Sequence, residues 1–304
     1  MQAYDVIVIG AGPAGIFTAL ELDKLMPQMR VLVVDSGSTI DNRSCPARTS
    51  SHCAHCRTCH IMNGWAARRV SDGKLSLSEE VGGNVTDYLP VQEVRDLIRY
   101  ADDIYLKFGA PDKVFGKSDK FAEQVSYEAH KHNIKLIPCP VRHMGTEYSF
   151  EVLREMYRYL SSRESFEFRE YTKADTIEIE NGRAVGVWLI GRDGERRLEK
   201  ARYIVAAPGR GGAEWLTSIA RANSLQTINN AVDIGVRVEV PNAVMDHLTK
   251  NLYEAKLVYY SDTFENKVRT FCMNPGGIVS EEHYEGGVGG KGIAVVNGHS
   301  FKEK

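Results

Sequence analysis

A run of β-branched and apolar residues, Val6-Ile7-Val8-Ile9, passes without a spacer into Gly10-Ala11-Gly12-Pro13-Ala14-Gly15 near the start of the chain. Such a run suits a strand buried on both faces, and the residues from Pro13 to about Leu25 suit a helix, so the glycines form the turn between the two. Gly10 permits the tight turn, Gly12 lets backbone approach a pyrophosphate, and Gly15 lets the helix lie close against the strand. Pro13 and Ala14 open the helix, whose N-terminal N–H groups and dipole point at the phosphates. A second apolar run, Val31 to Val34, ends in Asp35 followed by Ser36. Asp35 stands at about the 20-residue distance from Gly15 at which an acid accepts the hydroxyls of an adenosine ribose. Strand, glycine turn, helix and acid in this order predict a dinucleotide site, and the carboxylate disfavours a ribose 2′-phosphate.

At 304 residues the chain has room for two packed units. Its 38 basic and 40 acidic residues leave a formal charge of −2, which offers no electrostatic case for nucleic acid or an anionic membrane. No apolar run reaches membrane-spanning length, and the first strand begins by Tyr4 with no space for a secretion signal, so a cytoplasmic protein is expected.

A cysteine-rich excursion over 39–74 follows Asp35, without periodicity. Cys53, Cys56 and Cys59 have C-x2-C-x2-C spacing, and Cys45 lies upstream as a candidate fourth ligand. Three such thiolates reach one centre. The spacing is used for iron–sulfur clusters, and the interleaved His52, His55 and His60 serve zinc equally well. A set of reduced cytosolic thiols is the alternative. Arg68, Arg69 and the turn Ser71-Asp72-Gly73-Lys74 then make a polar concave segment suited to phosphate or a cofactor ring edge, or else a plain type I turn with both arginines solvated.

A helical insertion is expected over 90–160. Val91, Val94, Leu97, Ile98, Ala101, Ile104, Tyr105 and Phe108 repeat at three and four, which predicts a core-facing helix. Further helices are expected over 121–132 and 150–160, the latter capped by Ser149, with a strand over 134–137 between them. His130 and His132 read as surface residues, and His143 as a candidate polar contact to substrate. From Phe166 the period changes to two: 166–172, 174–179 and 184–190, punctuated by Asn181-Gly182 and Asp193-Gly194, predict a three-stranded meander. Tyr203 to Ala207 reads as a buried strand running into Pro208-Gly209, a second glycine-rich turn where open α/β sheets hold ligands. A strand is expected over 232–240, with shorter ones at 257–260, 268–272 and 293–296. Cys272 reads as structural. Asn297-Gly298 signals a hairpin with too little chain after it for a return strand, so the chain is expected to stop inside a domain.

Taken in order, these features resemble the flavoprotein fold typified by glutathione reductase. More narrowly, Cys53-x-x-Cys56-x-x-Cys59, Ser71-Asp72-Gly73-Lys74, His143-x-Gly145-Thr146, the segment Asp233 to Glu239, and Arg269-Thr270-Phe271-Cys272 with Pro275-Gly276 resemble the little-characterised family of FAD-dependent dehydrogenases, or NAD(P)/FAD-dependent oxidoreductases. The resemblance implies an α/β fold: a Rossmann-like FAD/NAD(P)-binding domain with a β-meander over 1–230, plus a partial, smaller antiparallel α+β substrate or cap domain over 231–304. It implies FAD with its ADP half over Gly10, Gly12, Pro13, Ala14 and Gly15, its ribose on Asp35 beside Ser36, and its adenine edge against the backbone near Ala174. The ribityl and ring region would meet Ser71, Asp72, Gly73, Ala207 and Gly209.

The activity implied is flavin-mediated hydride or electron transfer on a small-molecule substrate, with NAD(P)H as a donor and Lys74 and His143 as candidates for substrate orientation or proton transfer. Two other readings stand beside it: an iron–sulfur flavoprotein serving a redox partner, and a non-catalytic dinucleotide-binding module or inactive fragment. A homo-oligomer is compatible with each. Two departures from the family pattern bear on cofactor binding. Trp65-Ala66-Ala67-Arg68-Arg69 stands where the family has a glycine-rich run, so the expectation is either that bulky side chains block close backbone approach to the flavin diphosphate or that the arginines replace backbone donors with charge, and the family's later Gly-Asp motif is absent.

Overall fold

Buried β-branched runs in one part of the chain and short mixed strands in another build sheets of different kinds. In chain order the strands are β1 (Tyr4–Ile9), β2 (Val31–Val34), β3 (Lys74–Ser76), β4 (Val114–Phe115), β5 (Ile134–Ile137), β6 (Val141–His143), β7 (Phe166–Arg169), β8 (Lys173–Glu180), β9 (Arg183–Ile190), β10 (Arg196–Ala206), β11 (Lys256–Tyr260), β12 (Lys267–Arg269), β13 (Ile278–His283) and β14 (Ala294–His299). The structure, a computed structural model, describes residues 4–43, 59, 63–66, 73–117, 119–229, 233–283 and 294–299. The chain divides into two compact units, one of 1–69, 153–235 and 281–295 and the other of 70–152, 236–280 and 296–304.

The first unit carries a six-stranded sheet in the order β7-β2-β1-β10-β9-β8. All four residues of β2 are buried, as a strand covered on both faces requires. The helix Pro13–Leu25 makes the crossover that joins parallel β1 and β2. β10 is the long member: residues 196–200 pair antiparallel with β9, and residues 201–206 pair parallel with β1. One strand thus fuses a hairpin-built meander to a parallel sheet. Asn181 and Gly182 have φ of 51° and 75°, the two positive values of a tight turn whose twist matches its strands. The meander consists of β8, β9 and β10; β7 instead pairs parallel with β2, which corrects the expectation that 166–172 belongs to the meander.

The second unit holds two small sheets, β12-β11-β5 and β3-β6-β4, with helices Val91–Lys107, Lys120–His130 and Asn242–Leu252. Asp119 caps the second helix by accepting from the N–H groups of Phe121 and Ala122. The sheet β3-β6-β4 and the helix Asn242–Leu252 carry too few periodic residues to be read in advance. Four expectations are corrected. The apolar stripe from Val91 has Val94 as its buried residue, while Leu97 is 52% exposed. Ser149 lies inside the helix Gly145–Ser161 and does not cap it. Asn297-Gly298 falls within β14. Residues 233–240 form no strand: Ile234 and Val236 are 95% and 89% exposed, because alternation makes a strand only where a neighbouring edge supplies hydrogen bonds.

The buried Arg142 side chain donates from Nε and Nη2 to Asp102 at 2.5 and 2.7 Å and from Nη1 to the carbonyl of Pro111 at 2.6 Å. The Asp102 carboxylate holds this guanidinium above the ordinary arginine range. Replacing Asp102 with Ala leaves a buried cation with its main partner gone, a change expected to cost about 3–5 kcal/mol. Urea unfolding of Asp102→Ala should show a lowered midpoint at unchanged slope; an unchanged midpoint would mean that the pair contributes nothing.

Candidate functional site

The glycine turn of the first unit is a crowded backbone crossing with one open position. Gly10 has φ of +101°, and a Cβ there would stand 2.2 Å from the carbonyl oxygen of Ala207. A Cβ on Gly15 would stand 1.9 Å from the carbonyl oxygen of Gly10. Neither position tolerates a side chain. Gly12 differs: its φ of −75° suits any residue, and a Cβ would meet nothing within 4 Å. Pro13 follows as the first helical residue, so the free N–H groups of the helix start beside this open space.

Asp35 is delivered by the end of β2 and held by backbone. Oδ2 accepts from Ala11 N–H at 2.9 Å, and Oδ1 accepts from Gly37 and Gly64 N–H at 2.8 and 2.7 Å. A carboxylate offers about four lone-pair sites, so three are engaged and about one remains for a ribose hydroxyl. Ser36 Oγ donates to Asn63 at 3.2 Å. Tyr171 N–H donates to Gly37 O and Thr172 N–H to Asp35 O, each at 2.8 Å, which brings the start of β8 beside the acid. Ala174 itself is buried in the core with Ile7, Leu32 and Leu189, and a bulge follows it. Ala207 donates to Ile9 O at 2.8 Å, and Gly209 has φ of +60°.

Trp65 does not obstruct this cradle. Its side chain is buried, its Nε1 donates to Leu153 O at 2.9 Å, and its ring packs edge-on against Tyr157 and Phe168. The buried Arg43 donates to Trp65 O at 2.8 Å, a brace that the sequence reading missed. Ser71, Asp72, Arg68, Arg69, Cys45, Cys53 and Cys56 lie outside the described residues; of the proposed metal ligands only Cys59 is described, and it is half-buried.

The two catalytic candidates, Lys74 and His143, come together in the second unit. They face each other in register across β3 and β6. Gly73 has φ of +62° with no room for a Cβ, which would lie 2.6 Å from Gly145 O. Lys74 Nζ donates to Glu254 Oε2, Cys272 Sγ and the carbonyl of Met273, each at 2.9 Å, using all three ammonium hydrogens. Glu254 Oε1 pairs with Lys256 Nζ at 2.9 Å, and Lys256 also donates to Phe271 O. The side chains of Glu254 and Lys256 are each 4% exposed.

His143 Nε2 shares a 2.8 Å hydrogen bond with Tyr253 Oη, the donor set by the imidazole tautomer, and the two rings stack at 4.1 Å. Tyr253 sits at φ +60°, ψ −56°, and Glu254 N–H donates back to Leu252 O at 2.7 Å. This is a γ-turn of the strained hand, which turns Tyr253 toward His143 and Glu254 toward Lys74. Tyr253, Glu254, Lys256 and Cys272 were missed or read as structural. The one available signal was Glu254-Ala255-Lys256, whose charges share a face on extended backbone.

The family described as FAD binding domain matches residues 3–255. An uncharacterized protein of Clostridium beijerinckii is 24% identical over 97% of this chain, and the chain spans 48% of that relative's length. Glycine oxidase from Bacillus cereus resembles 72% of this chain and 58% of its own at 15% identity, with a TM-score of 0.40. The E. coli quinol fumarate reductase resembles 70% of this chain and 34% of its own at 15% identity, with a TM-score of 0.44. No helix among the described residues is long and apolar enough to cross a membrane.

Glu254 is a carboxylate shared by two lysines, the buried Lys256 and the largely buried Lys74. Glu254→Gln should therefore destabilise the protein by about 3–5 kcal/mol, since it leaves two ammonium groups without their counter-charge. Chemical denaturation checks this, and a loss under about 1 kcal/mol, the range of exposed pairs, would show that the cluster is solvated.

Proposed function

The chain belongs to the FAD binding domain family, and from that premise we propose that it is an FAD-dependent oxidoreductase acting on a small-molecule substrate. The carrying observation is the contrast at the glycine turn. Gly10 and Gly15 are glycine because neighbouring backbone fills the space of a side chain, whereas Gly12 has vacant space above it although its backbone suits any residue. A position that needs no glycine for the fold, at a helix N-terminus, is what close approach of a diphosphate calls for.

Gly12 and Ala14 would hold the diphosphate by backbone N–H groups, with the helix dipole behind them and Pro13, which has no N–H, fixing the helix start. Asp35, oriented by Ala11, Gly37 and Gly64, accepts from the ribose, and the backbone at Tyr171 to Ala174 meets the adenine edge. Ala207 and Gly209, just past the end of β10, serve the ribityl end. Bound FAD supplies the two-electron redox chemistry. Within the second unit, Lys74 and His143, the latter through its Tyr253 hydrogen bond, orient substrate or move a proton. NAD(P)H is a fitting reductant. We read the setting as cytoplasmic from the clustered thiols. A metal at Cys45, Cys53, Cys56 and Cys59 rests on their spacing alone, and iron and zinc analysis of the purified protein tests it.

The deciding experiment is FAD titration by calorimetry on the wild type, Gly12→Val and Asp35→Ala. Gly12→Val should lose FAD binding while lowering the melting temperature by no more than a poorer helix N-cap costs, because its side chain enters ligand space and not protein. Asp35→Ala should weaken FAD and ADP alike by roughly 10- to 100-fold, the loss of one charge-assisted hydrogen bond. A Gly12→Val protein that binds FAD as the wild type does would overturn the assignment of that space, and a wild type that takes up no flavin would overturn the activity.

A further inference from the structure

We propose that Lys74 and Cys272 form a reversible covalent cross-link when the protein meets hydrogen peroxide. The two residues are 198 apart in sequence, yet Lys74 Nζ lies 2.9 Å from Cys272 Sγ within one compact unit. Sulfur is also approached by Asn274 Nδ2 at 3.6 Å, so two N–H donors converge on it and stand ready to hold an oxygen placed there. Cys272 is half-buried rather than enclosed, unlike Cys139. Glu254 Oε2, 2.9 Å from the same ammonium, is placed to take a proton from it.

The chemistry balances in two steps. Cys272 Sγ attacks one oxygen of peroxide, the O–O bond breaks, sulfur is oxidised to the sulfenic acid, and peroxide is reduced with loss of water. Lys74 then gives one proton to Glu254 and its nitrogen attacks the sulfur. The S–N bond forms, the S–O bond breaks, and the departing hydroxide leaves as water with a second proton from nitrogen. The sum is thiol, ammonium and peroxide going to sulfenamide, two waters and a proton. A thiol reductant reverses it by attacking the sulfur.

The other described cysteine of this unit gives the comparison. Cys139 lines an open pocket of about 420 Å³ with Tyr127, His130 and Leu252. It is buried, burial pushes its thiol above the ordinary range, and its side chain hydrogen-bonds Ser76. Access through the pocket alone would favour Cys139; an amine held against sulfur favours Cys272.

Peptide mapping by mass spectrometry of the full chain, with and without hydrogen peroxide, tests the proposal. The expected product joins the peptides containing Lys74 and Cys272, is lighter than their sum by two hydrogens, and disappears on reduction with dithiothreitol. Lys74→Arg keeps the positive charge and should retain the sulfenic acid at Cys272, trapped by dimedone, without the joined peptide. If Lys74→Arg fails to fold, a graded peroxide series on the wild type decides, since the joined peptide must appear before any sulfinic acid at Cys272. Modification of Cys139 ahead of Cys272, a disulfide from Cys272 to another cysteine, or over-oxidised Cys272 without joining to Lys74 would each overturn the proposal. The readout is a bond and not turnover, so its failure leaves the flavin assignment standing, and a chain without flavin leaves the cross-link standing.

Discussion

Two backbone carbonyls occupy the volumes that side chains on Gly10 and Gly15 would need, and they tie three elements to one point. The carbonyl of Ala207 brings the end of β10 against the turn after β1, and the carbonyl of Gly10 brings the helix Pro13–Leu25 against that same turn. Strand, helix and neighbouring strand can approach this closely only where no Cβ intervenes. The placement of the acid follows. β2 pairs with β1 in parallel register, so its last residue, Val34, is level with Ile9, and Asp35 emerges beside Ala11 N–H. Orientation of the carboxylate is thus a consequence of the turn rather than of a side-chain network.

The second unit solves a different problem. Its strands are short and its sheets have three strands each, so apolar burial alone gives it a modest core. It nevertheless buries two ion pairs on Glu254 and another at Arg142. Buried pairs recover their desolvation cost better where further donors are also engaged, and here backbone carbonyls of Met273, Phe271 and Pro111 each take a hydrogen that the carboxylates leave over. An arrangement of this kind specifies one geometry more than it adds stability, which suits a cluster whose members must keep fixed distances.

How much of this was legible in the sequence depends on the range of the interactions. β1, its turn, the helix and β2 were readable with Asp35 because each is announced by neighbours within a few residues: β-branched runs, spaced glycines, an acid at the strand end. The hairpin at Asn181-Gly182 was readable for the same reason. β7 was misassigned because a strand's partner is not written in its own residues; 166–169 reads alike whether it joins a meander or a parallel sheet. Alternation over 233–240 announced a strand, but these residues pair with no edge among the described residues. The cluster around Lys74 was invisible because it joins β3, the residue after a helix, and the loop beyond β12, each polar for no local reason.

Tyr253 shows why the cluster holds together as a unit. A non-glycine residue at φ +60° and ψ −56° carries strain on the order of 1–3 kcal/mol, and such strain persists only when surroundings over-determine the conformation. Here the ring is held by His143 and the next residue by two lysines, from opposite sides of one peptide unit. Relaxing the turn would swing Tyr253 away from His143 and Glu254 away from Lys74 together, because both side chains hang from the same bend. The histidine and the lysine on β6 and β3 are therefore coupled twice: by strand register, and by a strained turn that neither side can release without the other.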